Sequence, residues 1–491
     1  MIKTHTLTQN TTYYTAALVF QKILAFVYFA FLARGLGVED LGKYAFAFSF
    51  TTLFSVFVDV GMSSVLTREI AKDRSKAKEV LSNVLGMKIV MSVFVYIFIV
   101  ILVNILDYSA ITKILVYITG LIMLLDNFSS SFWATLRGNQ NLKYESLGII
   151  LFESVIVALG LIFLYLGMGV IWVVLSTLLG SFFLCCFSFF QIRKHLELKL
   201  GIVWDKKILK MLLKISWPFA LTGIFARLNT QIDTVFLSKL GCFGEMCDIN
   251  VGIYSIATKI TLAVHFIPLA FTAALFPAMS EYFVSNKEKF ARIFEKSIRY
   301  MMIIGVPLSA GIFSLAPAFV PQVFGSEYVL SILPLQILII SLIFMFLTFP
   351  IGSLLNATSH QLRNSMQVGV AVLVNIILNI ILIPKFLYNG AAWASFASTI
   401  VMLILGLRIA PKIVKFNKLN LLVSFIRTLI AGGFMAIILD KLLFKINFII
   451  LIPIGAVIYF IILFLLAELK KQDINEFLVS LKLKSGVIDK V

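Results

Sequence analysis

Charged residues are scarce in this chain. Asp, Glu, Lys and Arg make up only 13% of its 491 residues, whereas 60% are hydrophobic. A water-soluble protein of this composition would have to expose far too much apolar surface, so that class is excluded. Apolar runs of about 20 residues recur along the chain, and each is long enough to cross the hydrocarbon core of a bilayer. The sequence predicts an all-α polytopic membrane protein with about fourteen transmembrane helices.

Motifs of several enzyme classes are also missing. The chain has no Walker A sequence, so it does not hydrolyse ATP through a P-loop. It has no paired DxD acids in the short loops expected outside the membrane, which argues against metal-dependent glycosyl transfer. Its four histidines and four cysteines suggest no Ser-His-Asp or Cys-His arrangement. We expect a protein that is not an enzyme and that carries no cofactor.

Acidic residues are outnumbered by basic ones, 24 to 42, which gives a net charge of +18. The main basic clusters, Arg68–Glu79, Arg193–Lys207 and Lys287–Arg299, fall in connections between apolar runs. With a cytoplasmic N-terminus, these connections lie on the cytoplasmic side, as the positive-inside rule requires. There they contact anionic lipid head groups. We expect a monomeric multi-pass protein of the plasma (inner) membrane, with both termini cytoplasmic and no nucleic-acid partner.

The cysteines form two pairs along the sequence. Cys185 and Cys186 lie inside an apolar run, where we expect them to be packing residues. Cys242 and Cys247 share a predicted external loop. They either form a small disulfide or remain two free thiols, and of these alternatives we expect the free thiols.

Two distant stretches of the chain, Ala33–Phe48 and Ser238–Ile260, share one pattern. Each has a Leu-Gly pair, a short polar stretch and then a Gly-x-Tyr sequence that begins a new apolar run. In both stretches the pattern joins the first and second predicted spans of a six-span block. Glycine permits tight turns and close helix approach at such places. The sequence therefore contains an internal repeat, with Gly42 corresponding to Gly252.

This repeat divides the chain into predicted lobes. Because each block has an even number of spans, both enter the membrane from the same side, and a pseudo-twofold axis runs along the membrane normal. Binding in such folds takes place between the halves, near the middle of the membrane. The predicted divisions are an N-terminal six-helix lobe at 1–205, a C-terminal six-helix lobe at 206–410, and two further transmembrane helices with a cytoplasmic tail at 411–491.

Three basic residues stand inside apolar runs: Lys22, Arg227 and Lys259. A charge deep in a bilayer is costly unless it faces a cavity or a partner. Three cations around one cavity would suit an anionic ligand, and a guanidinium can hold phosphate through two parallel hydrogen bonds. The alternative is neutralisation by carboxylates inside the helix packing. Arg34, at the predicted outer end of the first span, is either a second phosphate contact or a head-group anchor.

The seventh predicted span is unusually polar. Arg227, Gln231 and Thr234 follow an i, i+4, i+7 spacing and therefore share one helix face. A helix with so many polar residues lines water. In the eleventh predicted span, Asn375 and Asn379 lie one turn apart. Amides at this spacing either join helices by hydrogen bonds or, together with a carboxylate, supply oxygen ligands for a small cation.

Four stretches carry a family resemblance: "ARGLGVEDLGKYAFAFSF", "DVGMSSVLTREI", "NTQIDTVFLSKLG" and "LFPAMSEY". With them, the chain resembles the polysaccharide branch of the multidrug/oligosaccharidyl-lipid/polysaccharide exporter superfamily. The resemblance implies two six-helix lobes of the MATE-like fold plus two C-terminal helices. It also implies movement of a polyprenyl- or dolichyl-(pyro)phosphate-linked glycan from the inner to the outer leaflet, through a cationic lumen.

Some lipid flippases of this superfamily have a sodium site, to which several positions here are similar. They are Asp233, Asn375, Asn379 and one hydroxyl among Ser395, Ser398 and Thr399. Asn379 stands where an acid can occur, so one carboxylate remains and its attraction for sodium is weaker. The alternative coupling ion is a proton. The residues predicted to take part in ion coupling are Asp233, Asn375, Asn379, Ser398 and Thr399.

Together these features predict a flippase that moves a lipid-linked oligosaccharide by alternating access. The residues predicted to bind the anionic cargo are Lys22, Arg34, Arg227, Lys259 and Gln231. Two alternatives remain: a cation-coupled multidrug exporter of the same fold, and a membrane-embedded glycosyltransferase or ligase.

Overall fold

The computed structural model describes residues 7–196, 201, 203–240, 245–443 and 445–469. This part of the chain is almost entirely helical and contains no β-strand. Short 3₁₀ helices occur at Arg74–Lys76 and Ser326–Ser331. The α-helices are α1 (Leu7–Asp59), α2 (Met62–Lys72), α3 (Ala77–Ile105), α4 (Ala110–Gly138), α5 (Lys143–Tyr165), α6 (Val170–Leu196), α7 (Lys206–Leu237), α8 (Glu245–Val264), α9 (Phe266–Ser285), α10 (Lys287–Val323), α11 (Ile332–Ala357), α12 (Gln361–Ile413), α13 (Lys418–Leu442) and α14 (Phe448–Leu465).

Two helices are broken near their middle. α1 and α12 each contain 53 residues, which as one straight helix would be about 80 Å long, more than twice the thickness of a bilayer core. α1 breaks at Gly37 (φ 75°, ψ 172°), a conformation that glycine adopts without a steric penalty. α12 breaks at Leu387 (φ 51°, ψ −130°). Both breaks fall where the apolar runs predict a connection between two spans.

The number of membrane crossings follows from these breaks. In the part of the chain that the structure describes, 12 helical stretches are long and apolar enough to cross a membrane. Two of them, Tyr13–Asp59 and Gln361–Ile413, are the broken helices, and each accounts for two crossings. The predicted all-α polytopic fold with about fourteen transmembrane helices is confirmed.

The exposed side chains of α3 are suited to lipid. They form one apolar face along the helix, and a face of this size would be unfavourable in water but is expected where a protein meets hydrocarbon. Its members are Val93, Phe94, Ile97, Phe98 and Ile101.

The helices pack into two compact units that alternate along the chain. The first comprises Met1–Ala263, Val323–Ser331 and Val368–Ser398. The second comprises Val264–Gln322, Ile332–Gln367 and Thr399–Val491. The predicted six-helix lobes were defined by an internal repeat, whereas these two units are defined by how the helices pack. The units therefore do not test the lobes, and the division into lobes stays a prediction.

Each unit has its own apolar core. In the first, α2, α3, α4 and α7 pack around Leu66, Leu81 and Leu136, which are fully buried. In the second, α10, α13 and α14 pack around Val306 and Tyr459. Burial of the first set fixes α2, α4 and α7, which contribute to the cavity described next.

The cysteines differ from expectation at one position. Cys185 and Cys186 are free thiols on α6; Cys185 is half-buried, whereas Cys186 is exposed and is not the packing residue that was expected. Cys247, at the start of α8, is disulfide-bonded, so the prediction of a free thiol is wrong there. Cys242 lies outside the described residues.

Candidate functional site

The first unit contains a cavity of about 740 Å³. It is bordered by both parts of α1 and by α2, α4, α5, α6, α7 and α8. The volume is within the range that small-molecule sites usually have. Five acidic or basic side chains line it, three carboxylates and two cations: Asp59, Asp126, Glu153, Arg227 and Lys259.

The polar face of α7 lies against this cavity. Arg227, Gln231 and Thr234 all line it, as their spacing predicts. The Arg227 side chain is exposed, and within the described part of the chain it forms no ion pair, although it interacts electrostatically with Asp59. Arg227 therefore presents a charged fork of hydrogen-bond donors to the cavity.

Lys259 supplies the second cation, from α8. Its Nζ lies 5.1 Å from the centroid of the Phe29 ring, within the range of a cation–π interaction. Its ammonium interacts electrostatically with Lys22 and Glu153. We find no ion pair of Lys259 with any residue that the structure describes. Arg227 and Lys259 thus share one cavity without a fixed carboxylate partner there.

Lys22 and Arg34, the other predicted cargo-binding cations, lie outside the cavity lining as described. Lys22 is exposed and stands three residues before Ala25, a lining residue, on the same face of α1. It acts on the cavity through its electrostatic interaction with Glu153. Arg34 donates a hydrogen bond from Nε to the carbonyl oxygen of Val323, at 2.8 Å. This contact lies just before the break in α1 at Gly37, and contact of Arg34 with a ligand stays a prediction.

A buried lysine that the sequence did not reveal lies behind the cavity-lining Asp59. Lys88 on α3 is completely buried, and its Nζ lies 2.6 Å from Oδ1 of Asp59. The ammonium also donates to Oγ of Ser63, at 3.3 Å, and to the carbonyl oxygen of Asn127, at 2.9 Å. In the sequence, Lys88 appears only as a single lysine within an apolar run. The contact shows that Asp59 is already neutralised.

Glu153 is also held by neighbouring groups. Its side chain is buried, and Oε2 accepts a hydrogen bond from Nε2 of Gln21 at 3.2 Å. The electrostatic partners of Glu153 are Lys22 and Lys259. When Lys22 and Lys88 are added to the two lining cations, four positive groups face three carboxylates among the described residues. The cavity is therefore mixed in charge with a small positive excess, and Arg227 and Lys259 are its lining cations that form no ion pair in the described structure.

A second polar cluster surrounds Asp233, one residue from the cavity-lining Thr234. Oδ1 of Asp233 accepts hydrogen bonds from Nδ2 of Asn375, at 2.9 Å, and Nδ2 of Asn379, at 2.7 Å. Oδ2 accepts from the hydroxyls of Tyr254, at 2.9 Å, and Ser395. Residues 233, 375 and 379 are nearly or completely buried. Four donors thus hold one carboxylate, and the predicted association of Asp233 with both asparagines is present.

The hydroxyl in this cluster belongs to Ser395. Ser398 donates instead to the carbonyl oxygen of Ser395, at 2.9 Å, and Thr399 belongs to the second compact unit. One acceptor is left over: Oδ1 of Asn379 is buried and has no hydrogen-bond partner among the described residues. An orphaned buried oxygen next to a carboxylate fits a small cation. To bind one, the two amides would turn their oxygens towards it, which the two-sided chemistry of the amide group allows.

The fold is that of the MATE-like membrane transporters. The lipid II flippase MurJ, in an inward closed conformation, superposes with a TM-score of 0.74 and 19% identity, covering 91% of this chain and 97% of its own. An inward-facing multidrug resistance MATE family transporter superposes with a TM-score of 0.65 and 18% identity, covering 80% and 95%. The chain belongs to the polysaccharide biosynthesis protein family, whose model matches residues 7–283. The family resemblance stated above is confirmed.

Two curated proteins are similar in sequence. The capsular polysaccharide biosynthesis protein CapF of Staphylococcus aureus is 25% identical over 413 residues, which cover 81% of this chain and 97% of CapF. The probable low-salt glycan biosynthesis flippase Agl15 of Haloferax volcanii is 29% identical over 157 residues, about a third of either protein.

Proposed function

We propose that this protein flips a lipid-(pyro)phosphate-linked oligosaccharide from the cytoplasmic to the outer leaflet of the plasma membrane. The family assignment supports a role in polysaccharide biosynthesis. The name of Agl15 and the fold shared with MurJ support a flippase rather than an enzyme. A sugar phosphate cannot cross hydrocarbon unaided, because its polar groups would lose their hydrogen bonds with water. Alternating access solves this problem with a polar chamber that opens to one side at a time.

The observation that carries this proposal is the pair Arg227 and Lys259 in one cavity. Neither forms an ion pair within the described structure, and both line the chamber. A phosphate bound there would gain charge-assisted hydrogen bonds, which are about twice as strong as neutral ones. Asp59, the nearest competitor for Arg227, is neutralised by Lys88. Arg227 is therefore available to an anionic head group.

The rest of the lining suits a sugar. Hydroxyl side chains are its most numerous polar groups, and Thr52, Ser55 and Thr230 are examples. Ser55 and Thr230 donate to carbonyl oxygens of their own helices, but each hydroxyl oxygen keeps lone pairs that accept hydrogen bonds. Neutral acceptors of this kind bind the hydroxyl groups of a sugar without favouring a positively or a negatively charged ligand.

The Asp233 cluster is the proposed ion-coupling site. The carboxylate, the amide oxygens of Asn375 and Asn379 and the Ser395 hydroxyl are oxygen donors, which hard cations prefer. Thr234, the residue after Asp233, lines the cavity. Ion binding at the cluster would therefore act on groups that lie close to the bound cargo. We assign sodium to this site, with a proton as the alternative.

Transport by purified protein in liposomes tests the proposal. Arg227→Ala and Lys259→Ala should each lower the rate of lipid-linked glycan translocation by about tenfold or more, because each removes a charge-assisted contact. Arg363→Ala is the matched control: Arg363 is exposed at the start of α12 and outside the described cavity lining. It should transport at the wild-type rate. Unchanged translocation in Arg227→Ala, with intact folding, would overturn the proposal.

The carboxylates in the cavity favour one second candidate, a cation-coupled drug exporter. Asp126 is exposed to the cavity and could bind a cationic drug. Under that function, Asp126→Asn would abolish efflux of a cationic dye while Arg227→Ala would preserve it, and a flippase gives the reverse pattern with lipid-linked glycan. Product analysis separates the remaining alternative, since new glycosidic bonds made by the purified protein would indicate a glycosyltransferase or ligase.

A further inference from the structure

The two copies of the repeated glycine motif contact each other in the first unit. A Cβ placed on Gly42 would lie 1.8 Å from the carbonyl oxygen of Asp248. A Cβ placed on Gly252 would lie 2.0 Å from the carbonyl oxygen of Val38. Asp248 precedes Gly252 by four residues, and Val38 precedes Gly42 by four. The contact is therefore reciprocal, like the self-complementary interface of a symmetric dimer.

Glycine is required at both positions for a steric reason. Each glycine lets the neighbouring helix bring a backbone carbonyl against its Cα, the geometry of a weak Cα–H···O contact. Small residues allow membrane helices to approach this closely, and any side chain would force them apart. Here the obstructing atoms belong to the backbone, so no rotamer change relieves the clash. The crossing of α1 and α8 depends on two missing side chains.

This crossing forms one end of the cavity. Tyr44 and Ala45 line the chamber just beyond Gly42, and Ser255 lines it just beyond Gly252. Gly42 and Gly252 are themselves buried, and neither belongs to the described lining. The chamber therefore ends where the two glycines meet.

Charged groups lie around the same crossing. Nζ of Lys43 is buried, 2.5 Å from Oε1 of Glu39 and 3.2 Å from Oδ1 of Asp40. Asp248 on α8 interacts electrostatically with Lys43, and also with Glu39, Asp40 and Lys239. Lys43 thus stands among three carboxylates contributed by both helices. Lys43 therefore attracts the carboxylate of Asp248 across the crossing, and without it Lys239 is the remaining cation that offsets the repulsion of Asp248 by Glu39 and Asp40.

A short segment closes the same end from the side. The hydroxyl of Tyr328 donates to the carbonyl oxygen of Ala33 on α1, at 2.9 Å. The hydroxyl of Ser331 donates to the carbonyl oxygen of Ile253 on α8, at 2.8 Å. The 3₁₀ helix Ser326–Ser331 is thereby tied to both helices of the crossing.

We propose that the reciprocal Gly42–Gly252 contact is the outer gate of the chamber, closed in this structure and held by Lys43. The connection at Gly37 is on the outer side if the N-terminus is cytoplasmic. A gate built from equivalent positions of two repeats opens by separating the two helices, and as they part the hydrogen bond of Tyr328 to α1 or that of Ser331 to α8 is broken. This inference rests on the proposed function, because a gate presupposes transport. The accessibility test that follows does not require any cargo.

Cysteine accessibility in intact cells tests the gate. Thr258 lines the cavity beyond the crossing, so Thr258→Cys reports on access from outside, in a background where Cys185 and Cys186 are replaced by serine. A membrane-impermeant maleimide added outside should label it slowly. Gly42→Ala or Gly252→Ala should raise the labelling rate by about tenfold or more, because the added methyl group prevents closure and shifts the population to the open state. Gly433→Ala is the control, since a Cβ there meets nothing within 4 Å.

A second variant removes a charge instead of adding bulk, so that the gate can be tested even if the alanine variants do not fold. Lys43→Met adds no bulk but removes the cation paired with Glu39 and Asp40 and leaves Asp248 with Lys239 as its basic neighbour. The attraction across the crossing weakens, so this variant should also raise the labelling rate. Lys72→Met, which breaks the exposed pair with Glu69, should leave the rate at the wild-type value. Wild-type labelling in Lys43→Met, or in an alanine variant that elutes as a folded protein, would overturn the gate.

The two proposals fail in different ways. If the gate is wrong and the flippase assignment is right, labelling stays at the wild-type rate in the gate variants while Arg227→Ala still loses glycan translocation. If the cargo assignment is wrong, Arg227→Ala keeps translocation, and the gate variants still change labelling.

Discussion

The buried pair of Asp59 and Lys88 yields a quantitative prediction. The Lys88 side chain is 0% exposed and the Asp59 side chain 25%. Asp59→Asn would leave the ammonium with two neutral acceptors, the Ser63 hydroxyl and the Asn127 carbonyl. Removing one partner of a buried ion pair costs about 3–5 kcal/mol, because the other charge stays desolvated. Since Asp59 is partly exposed, we expect the lower end, about 3 kcal/mol.

The reverse single change should be milder. Lys88→Met leaves Asp59 with a route to cavity water and a hydrogen bond from the Ser63 hydroxyl at 2.5 Å. The double variant, Asp59→Asn with Lys88→Met, removes both charges and should recover most of the loss, since replacing a whole buried pair is often nearly neutral. The expected order of stability is wild type, then the double variant, then Lys88→Met, with Asp59→Asn the least stable.

Thermal unfolding of the purified protein in detergent measures this order. An unfolding entropy of about 2.1 cal/mol/K per residue means that ~3 kcal/mol lowers the Tm of a chain of this length by about 3 °C. Asp73→Asn is the matched control: its contact with Lys76, at 3.5 Å, is exposed, and no shift is expected. If Asp59→Asn melts with the wild type, or if the double variant is no more stable than Asp59→Asn, the reasoning about Lys88 is refuted.

Two other sites give sharp expectations. Asn379→Asp would place a second carboxylate where Nδ2 now lies 2.7 Å from Asp233. Because two such acids do not both ionise without a cation, sodium at 100 times its Kd should stabilise this variant by about 2.7 kcal/mol. Tm in sodium chloride against choline chloride measures the effect, and equal values would contradict it. Glu468→Gln should lower Tm by a few degrees, because the buried Glu468 accepts from Arg299, at 2.7 Å, and Ser424, at 2.5 Å; Glu69→Gln, in an exposed pair, is its control.

Features that depend on one helix were predictable from the sequence. Arg227, Gln231 and Thr234 share a face because the helical repeat fixes their directions, whatever surrounds the helix. The breaks in α1 and α12 followed from the length of their apolar runs. Contacts between helices were different. The association of Asp233 with Asn375 came from family resemblance, because helical periodicity says nothing about which distant helices meet.

Pairing between helices also explains why the role of Lys88 and the contact between Gly42 and Gly252 were not predicted. The apolar run around Lys88 gives no hint that its partner is Asp59 on another helix, so a lysine there was not recognised as a structural cation. The repeat predicted that Gly42 and Gly252 are equivalent. It did not predict that they touch, because internal symmetry relates two positions without placing them on the axis.

The Asp59–Lys88 pair connects stability with cargo binding. Asp59 interacts with both Lys88 and Arg227, but its contact with Lys88 is direct. If Lys88 becomes methionine, Asp59 keeps its negative charge beside the cavity, and Arg227 is the cation left to neutralise it. An arginine held by an internal carboxylate has less attraction for an anionic cargo, so Lys88→Met should lose translocation even though Lys88 is outside the described lining. Adding Asp59→Asn removes the competing charge, and translocation should return. A double variant that folds and still fails to transport would show that Lys88 acts on the cargo by another route.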